Sequence, residues 1–292
     1  MIRYLLFRLC TFIWQRLPLK VGYTLACLLG DITYFAWPRG RRHTNENMRH
    51  VLGPQAQGRQ VARMARQSLR NYMKYLVDFI RFPKLREEDI AQSIVFEGWS
   101  NFDKALEAGK GAIFIGMHIG NWDLAAAAIC LRNYPLNVIA ETFSPPKLND
   151  LVQGPRMKWG MKVIPMERAA RQVIQALRQN EIIALLIDRP SPDDGVPVRF
   201  FDALTRVPAG AATLALKTGA RVVPGSLVRL SDTEFLGIID RYVSFQPTGD
   251  LDDDVQALTQ RIVESLENTI RQYPDQWYMF RRMWVGGGNN SP

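Results

Sequence analysis

Apolar positions recur every three or four residues along the first eighty residues, and from Ile94 onward short apolar runs alternate with amphipathic stretches. Residues 2–17 read as a helix in which Arg3, Arg8 and Arg16 interrupt aliphatic and aromatic side chains, and Pro18 ends it. Residues 19–37 read as a second apolar helix containing Lys20 and Asp31, closed by Trp37-Pro38-Arg39-Gly40. A basic polar helix begins within residues 39–50. A long helix is predicted over 57–82, where Val61, Met64, Ala65, Leu69, Tyr72, Met73, Leu76, Phe79 and Ile80 form one stripe. Arg59, Arg63, Arg66, Arg70 and Lys74 mark its other face, which either is solvated or meets phosphate headgroups, and Pro83 stops it. Beyond it, strands are predicted at 94–97, 112–117, 136–142, 162–166, 182–188, 198–201, 221–229 and 234–240. Helices are predicted at 99–108, 121–133, 146–159, 168–179, 208–218 and 252–272. This alternation predicts an α/β fold with a mostly parallel central sheet flanked by helices, behind an N-terminal α-helical extension. The divisions are a helical region at 1–92, an α/β catalytic domain at 93–285 and a disordered tail at 286–292.

Residues 111–123 concentrate the candidate chemistry. The apolar residues Ala112, Ile113, Phe114 and Ile115, bracketed by Gly111 and Gly116, read as a short buried strand that runs on to Met117. His118 follows at its carboxyl end, where open α/β sheets place their ligands. Asn121 can cap a helix that carries Trp122, Asp123 and the alanines 125–128. Residues five apart in one helix lie roughly 140° apart and do not meet. Across a strand–turn–helix junction they can, so Asp123 is predicted to fold back and orient His118 as a general base for a hydroxyl. Amides near Gly120 and Asn121 are candidate oxyanion donors. A histidine at a strand end can equally be a packing residue.

Charge changes the picture of the first third. Residues 1–90 hold 16 Lys/Arg against 6 Asp/Glu, whereas the remainder holds 21 against 22, so the +9 net charge lies in the helices. A basic segment can meet nucleic acid or an anionic membrane, and the interleaved aliphatic and aromatic residues favour the membrane, with no nucleic-acid partner. Neither of the first two helices has about 20 uncharged apolar residues, so they are predicted to lie on or partly in the cytoplasmic face of a membrane. A hairpin packed on the catalytic domain is the alternative. Arg8 interrupts the first apolar run, against a secretory signal. The three cysteines, Cys10, Cys27 and Cys130, are dispersed, and only His43, His50 and His118 exist, so neither a disulfide framework nor a metal site is predicted. No glycine-rich phosphate loop is present, and no cofactor is predicted. A second buried strand ends in Asp188-Arg189, two charges that need a mutual or substrate-mediated salt bridge.

His118-x4-Asp123 after a glycine-bracketed strand resembles the signature of the glycerolipid acyltransferase superfamily. The longer His118-Ile-Gly-Asn-Trp-Asp-Leu-Ala resembles the branch of lipid A lauroyl/myristoyl and phosphatidylinositol mannoside acyltransferases. Arg156-Met-Lys-Trp-Gly, Asp188-Arg189, residues 195–202, Arg206-Val-Pro-Ala-Gly and Tyr273-Pro-Asp-Gln-Trp-Tyr-Met-Phe-Arg-Arg extend the resemblance in order over nearly the whole chain. Lipid A acyltransferases often carry Glu at the last motif position; Asp123, with Val196-Pro197-Val198 and Asp202, leans toward the mannoside type.

The resemblance implies transfer of a fatty acyl group from acyl-CoA or acyl carrier protein to a hydroxyl of a glycolipid, at the inner face of a cytoplasmic membrane. His118 and Asp123 would be catalytic, and Asn121, Arg156, Asp188 and Arg189 would bind substrate. Arginine suits a phosphate-bearing headgroup because its planar fork holds two oxygens at once, though Arg156 can also be a surface residue. The expected partners are membrane lipids, the acceptor and the donor, with a monomeric chain. The rival readings are a lysophospholipid or glycerol-phosphate acyltransferase, a hydrolase, and a non-catalytic membrane lipid-binding protein.

Overall fold

The computed structural model describes residues 2–201 and 203–284; Asp202 and the predicted tail lie outside the described residues. Four helices open the chain: α1 (Ile2–Trp14), α2 (Leu19–Ala36), α3 (Pro38–Leu52) and α4 (Gly58–Arg81). Helix α2 packs closely on α4, because Gly30 has no Cβ where one would come within 2.7 Å of the Arg70 Cα. Asp31 beside it accepts bonds from both Arg66 and Arg70. Part of the basic face of α4 is therefore turned to α2, where Arg66 and Arg70 share one carboxylate while staying partly exposed. On its buried side α4 carries Ser68 and Asn71, which bond to the Trp277 and Asp275 carbonyls and hold the C-terminal segment down.

Elements α5 (Glu87–Ser93), β1 (Ile94–Glu97), α6 (Trp99–Leu106), β2 (Ala112–Gly116), α7 (Trp122–Leu131), β3 (Leu136–Ala140), α8 (Pro146–Lys158), β4 (Lys162–Pro165), α9 (Ala169–Arg178) and β5 (Ile182–Leu186) follow. The chain continues through β6 (Val196–Phe200), β7 (Ala203–Val207), α10 (Gly210–Thr218), β8 (Arg221–Arg229), β9 (Phe235–Ile239) and α11 (Leu251–Gln272). Among the described residues seven strands form one sheet in the order β1-β9-β8-β2-β5-β3-β4. Every pairing is parallel except β8 with β9. The α/β fold with a mostly parallel sheet is as the alternation predicts.

Two local elements differ. The strand predicted at 198–201 does not join the main sheet; it begins at Val196 and pairs antiparallel with β7 in a separate hairpin. Strand β7 escapes the pattern because Leu204 faces solvent while Thr205 is buried, its hydroxyl bonded to the Met283 carbonyl. Helix α5 has seven residues, too few for a periodicity to show.

Alternate residues of the central strands feed two cores. Ile113, Ile115 and Met117 join a cluster that includes Met48, Val61, Ala65 and Leu69 of the N-terminal helices and Ile262 and Ile270 of α11. Ala112 and Phe114 join the other, with Phe102, Ala127, Leu227 and Phe235. Helices α2, α3 and α4, through Tyr34, Met48 and Val61, thus share a core with the sheet. The outer faces of α1 and α2 remain apolar: Leu5, Leu6, Leu9, Phe12, Ile13, Val21, Leu25, Leu28, Leu29, Ile32 and Phe35 are exposed. Among the described residues no helix is long and apolar enough to cross a membrane.

Candidate active site

The turn after β2 is fixed from several sides. Gly120 has φ +56°, and an added Cβ would collide with the Leu227 carbonyl, so only glycine fits. Its N–H donates to the Gln276 carbonyl, the Asn121 N–H donates to the Leu227 carbonyl, and the Tyr278 N–H donates to the His118 carbonyl at 2.7 Å. The amides of Gly120 and Asn121 are therefore already engaged, which corrects their assignment as oxyanion donors. Asn121 caps α7 as predicted, its Oδ1 accepting from the Leu124 N–H at 3.1 Å.

The carboxylate on His118 is Asp188. The imidazole Nδ1 lies 2.7 Å from Asp188 Oδ1, and the His118 backbone N–H donates to Oδ2 at 2.9 Å. Trp277 Nε1–H also donates to Oδ2, at 2.9 Å. Register explains the pairing: Gly116 on β2 is opposite Leu186 on the parallel strand β5, so residues two further along each strand emerge side by side. Burial raises the affinity of Asp188 for a proton, but the charge of His118 and the three hydrogen bonds prevail and hold its carboxyl below the ordinary value. An ionised carboxylate only accepts, so Nδ1 carries a proton, and in the neutral imidazole the lone pair is then on Nε2. The imidazole is 14% exposed and lies edge-on to the Trp122 ring, with centroids 5.3 Å apart.

Asp123, predicted as that partner, is turned elsewhere by the first turn of α7. Its Oδ2 accepts from the Tyr75 hydroxyl at 2.8 Å and its Oδ1 from Arg156 Nε–H at 2.7 Å. Arg156 also donates through Nη1 to Gln153 Oε1 at 2.9 Å and lies over the Phe79 ring. Its guanidinium, predicted to hold substrate phosphate, thus pairs with Asp123 and clamps α7 to α8. Arg189 does not pair with Asp188; its exposed side chain reaches Glu141 Oε1 at 3.9 Å. Of the six predicted residues, the structure brings His118 and Asp188 together, and Asp123 and Arg156 together. Asn121 belongs to the turn, and Arg189 stands apart at the rim.

Sequence reasoning missed Tyr75, Asp78, Arg229, Gln276 and Trp277. Asn121 Nδ2–H donates to Asp78 Oδ2 at 2.9 Å, and Arg229 Nη2–H donates to the same oxygen. A signal existed in α4, where Ser68, Asn71, Tyr75 and Asp78 recur at spacings of three and four, a polar stripe beside the apolar one.

Comparison with known proteins decides the lineage. A family model described as bacterial lipid A biosynthesis acyltransferase matches residues 1–285. The chain belongs to this acyltransferase family. It is 32% identical over 262 residues to a phosphatidylinositol mannoside acyltransferase of Mycobacterium tuberculosis, covering 86% of this chain and 79% of that one. It is 29% identical over 226 residues to the protein of the same name from Mycolicibacterium smegmatis, covering 76% and 72%. A 1-acyl-sn-glycerophosphate acyltransferase crystal structure from Thermotoga maritima aligns over 85% of this chain and 97% of its own at 16% identity and a TM-score of 0.36, too loose a likeness to argue from. In this acyltransferase, a histidine with a carboxylate on Nδ1 has the arrangement of a general base beside its orienting group.

Proposed function

We propose that this acyltransferase moves a fatty acyl group from a thioester, acyl-CoA or acyl carrier protein, to a hydroxyl of a glycolipid of the phosphatidylinositol mannoside kind. The observation that carries the reading is the His118–Asp188 pair at the carboxyl end of the central strands. The names of the relatives support the acceptor class. His118 Nε2 takes the proton of the acceptor hydroxyl as its oxygen attacks the thioester carbonyl. Asp188 stabilises the imidazolium without itself taking the proton. The tetrahedral intermediate expels the thiolate, which recovers the proton from His118, so an ester and a thiol leave and the enzyme is unchanged. The positive end of the α7 dipole favours the developing oxyanion. No resident cofactor is required, since the thioester carries the activation.

The site works at a membrane surface, where the glycolipid resides. The exposed apolar faces of α1 and α2 and the basic excess of residues 1–90 support docking on the anionic cytoplasmic face. The test incubates purified protein with palmitoyl-CoA, or palmitoylated carrier protein, and one of three acceptors: a mannosylated phosphatidylinositol, lysophosphatidic acid or none. The expected product is the glycolipid heavier by one acyl group, with one thiol released per product. Acylation of lysophosphatidic acid alone, or fatty acid release without acceptor, would replace this reading by the glycerolipid or hydrolase one.

A further inference from the structure

Asp78 is a buried carboxylate that the acyl transfer does not use. It lies on α4 and takes Tyr23 O–H on Oδ1 at 2.5 Å, with Asn121 Nδ2–H and Arg229 Nη2–H on Oδ2. Arg229 Nη1 also lies 3.2 Å from the Tyr23 hydroxyl. The backbone of Arg229 is gripped in turn: the Gln276 side chain accepts its N–H at 2.7 Å and donates to its carbonyl at 2.8 Å. The Gln276 carbonyl then accepts the Gly120 N–H. A closed circuit of hydrogen bonds therefore runs from α2 through α4 and β8 to Gly120 and Asn121, the residues directly after His118 and Ile119.

We propose that Asp78 is a positioning residue for His118, fixing through Asn121 the turn that presents the imidazole, and that Tyr23 ties this turn to the seating of the apolar helix α2. The inference rests on the acyl-transfer reading and adds to it a link between the membrane-facing hairpin and the catalytic turn. Both ends of the Asn121 amide are engaged: Oδ1 accepts at the α7 cap and Nδ2–H donates to Asp78. A buried ion pair is a poor device for stability alone, because apolar side chains of similar volume serve as well. A fully bonded network does specify one geometry, and here the geometry it specifies is that of the turn after His118. Tyr23 is on the buried side of α2, whose outer side carries exposed Leu25, Leu28 and Ile32.

The experiment measures kcat, both KM values and Tm for Tyr23→Phe, Asp78→Asn and the double variant, in the full chain with palmitoyl-CoA and a mannosylated phosphatidylinositol. A misplacement of about 1 Å at the base costs roughly 10²-fold, so Asp78→Asn is expected to lose about that in kcat with both KM values little changed. Tyr23→Phe keeps the ring under Lys74 and Arg229 and removes one hydrogen bond, so a loss of about fivefold in kcat is expected. Because Tyr23 acts through Asp78, the double variant should match Asp78→Asn alone. Wild-type kcat in Tyr23→Phe and Asp78→Asn, or losses that multiply in the double variant, would overturn the proposal. If Asp78→Asn does not fold, Tyr23→Phe decides: reduced kcat at unchanged Tm supports the link, and full kcat overturns it. An inactive wild type would instead sink the acyl-transfer reading and this inference with it, whereas an active wild type with undiminished variants overturns the positioning role alone.

Discussion

Asp188→Asn separates the two carboxylates that compete for the role beside His118. The native carboxylate accepts three donors: His118 Nδ1–H on Oδ1, and the His118 amide and Trp277 Nε1–H together on Oδ2. Asparagine offers one acceptor oxygen and one NH2. Placing the NH2 toward the amide and Trp277 would leave two buried donors unsatisfied, at about 1–3 kcal/mol each. Placing it toward Nδ1 keeps all three former partners bonded but forces the proton onto Nε2, removing the lone pair the reaction needs. The second arrangement is the cheaper, so the variant should fold and lose turnover by on the order of 10⁴-fold, about 5.4 kcal/mol of barrier. Asp123→Asn should behave differently. It leaves the largely buried Arg156 without its counter-charge, so the main cost falls on stability, at about 3–5 kcal/mol. Free-thiol release from acyl-CoA with acceptor present gives kcat, and thermal unfolding gives the stability of each variant. A folded Asp188→Asn retaining a tenth of wild-type turnover, beside a stable but inactive Asp123→Asn, would refute the assignment.

Asp188 is held below the ordinary carboxylate value in the folded protein, so its contribution to stability is full above about pH 4, the unfolded range, and is lost as pH falls through its lower folded value. Between pH 5 and 8 it should not titrate, and the acid limb of kcat/KM should report one proton; a two-proton limb would contradict this. Arg156→Lys cannot reproduce both the Nε bond to Asp123 and the Nη1 bond to Gln153, so a lower Tm and reduced kcat are expected. A raised KM at unchanged Tm would instead show that the guanidinium reaches substrate. Leu25→Asp with Ile32→Asp places charge on the exposed face of α2 and should release the protein from anionic vesicles in sedimentation assays. High salt should weaken wild-type binding without abolishing it, and equal sedimentation of variant and wild type would rule out docking through this face.

What could be read from the chain depended on the range of the interaction. The strand–helix alternation after Ile94 is a local pattern, and it located the sheet, the turn at His118 and the Asn121 cap. The partner of His118 is not local. It follows from the register of β2 on β5, which no periodicity encodes, so Asp188 was legible as a charge at a strand end and Asp123 was placed wrongly against the imidazole. Arg66 and Arg70 read in sequence as part of a face that is solvated or meets headgroups, because Asp31, which bonds both, stands more than thirty residues earlier on α2. Asp78 and Tyr75 were hidden in an amphipathic helix because their partners, Asn121 and Asp123, come more than forty residues later.

The central claim is that His118 drives acyl transfer from a thioester to a glycolipid hydroxyl. Its most direct test is a single-turnover reaction of purified wild type and His118→Ala with isotope-labelled acyl-CoA and a mannosylated phosphatidylinositol in vesicles, followed by mass spectrometry of the lipids. Labelled acyl ester on the glycolipid in the wild type, with a rate at least ~10²-fold lower in a folded His118→Ala, is the predicted result. Label appearing at comparable rates in both proteins would contradict it.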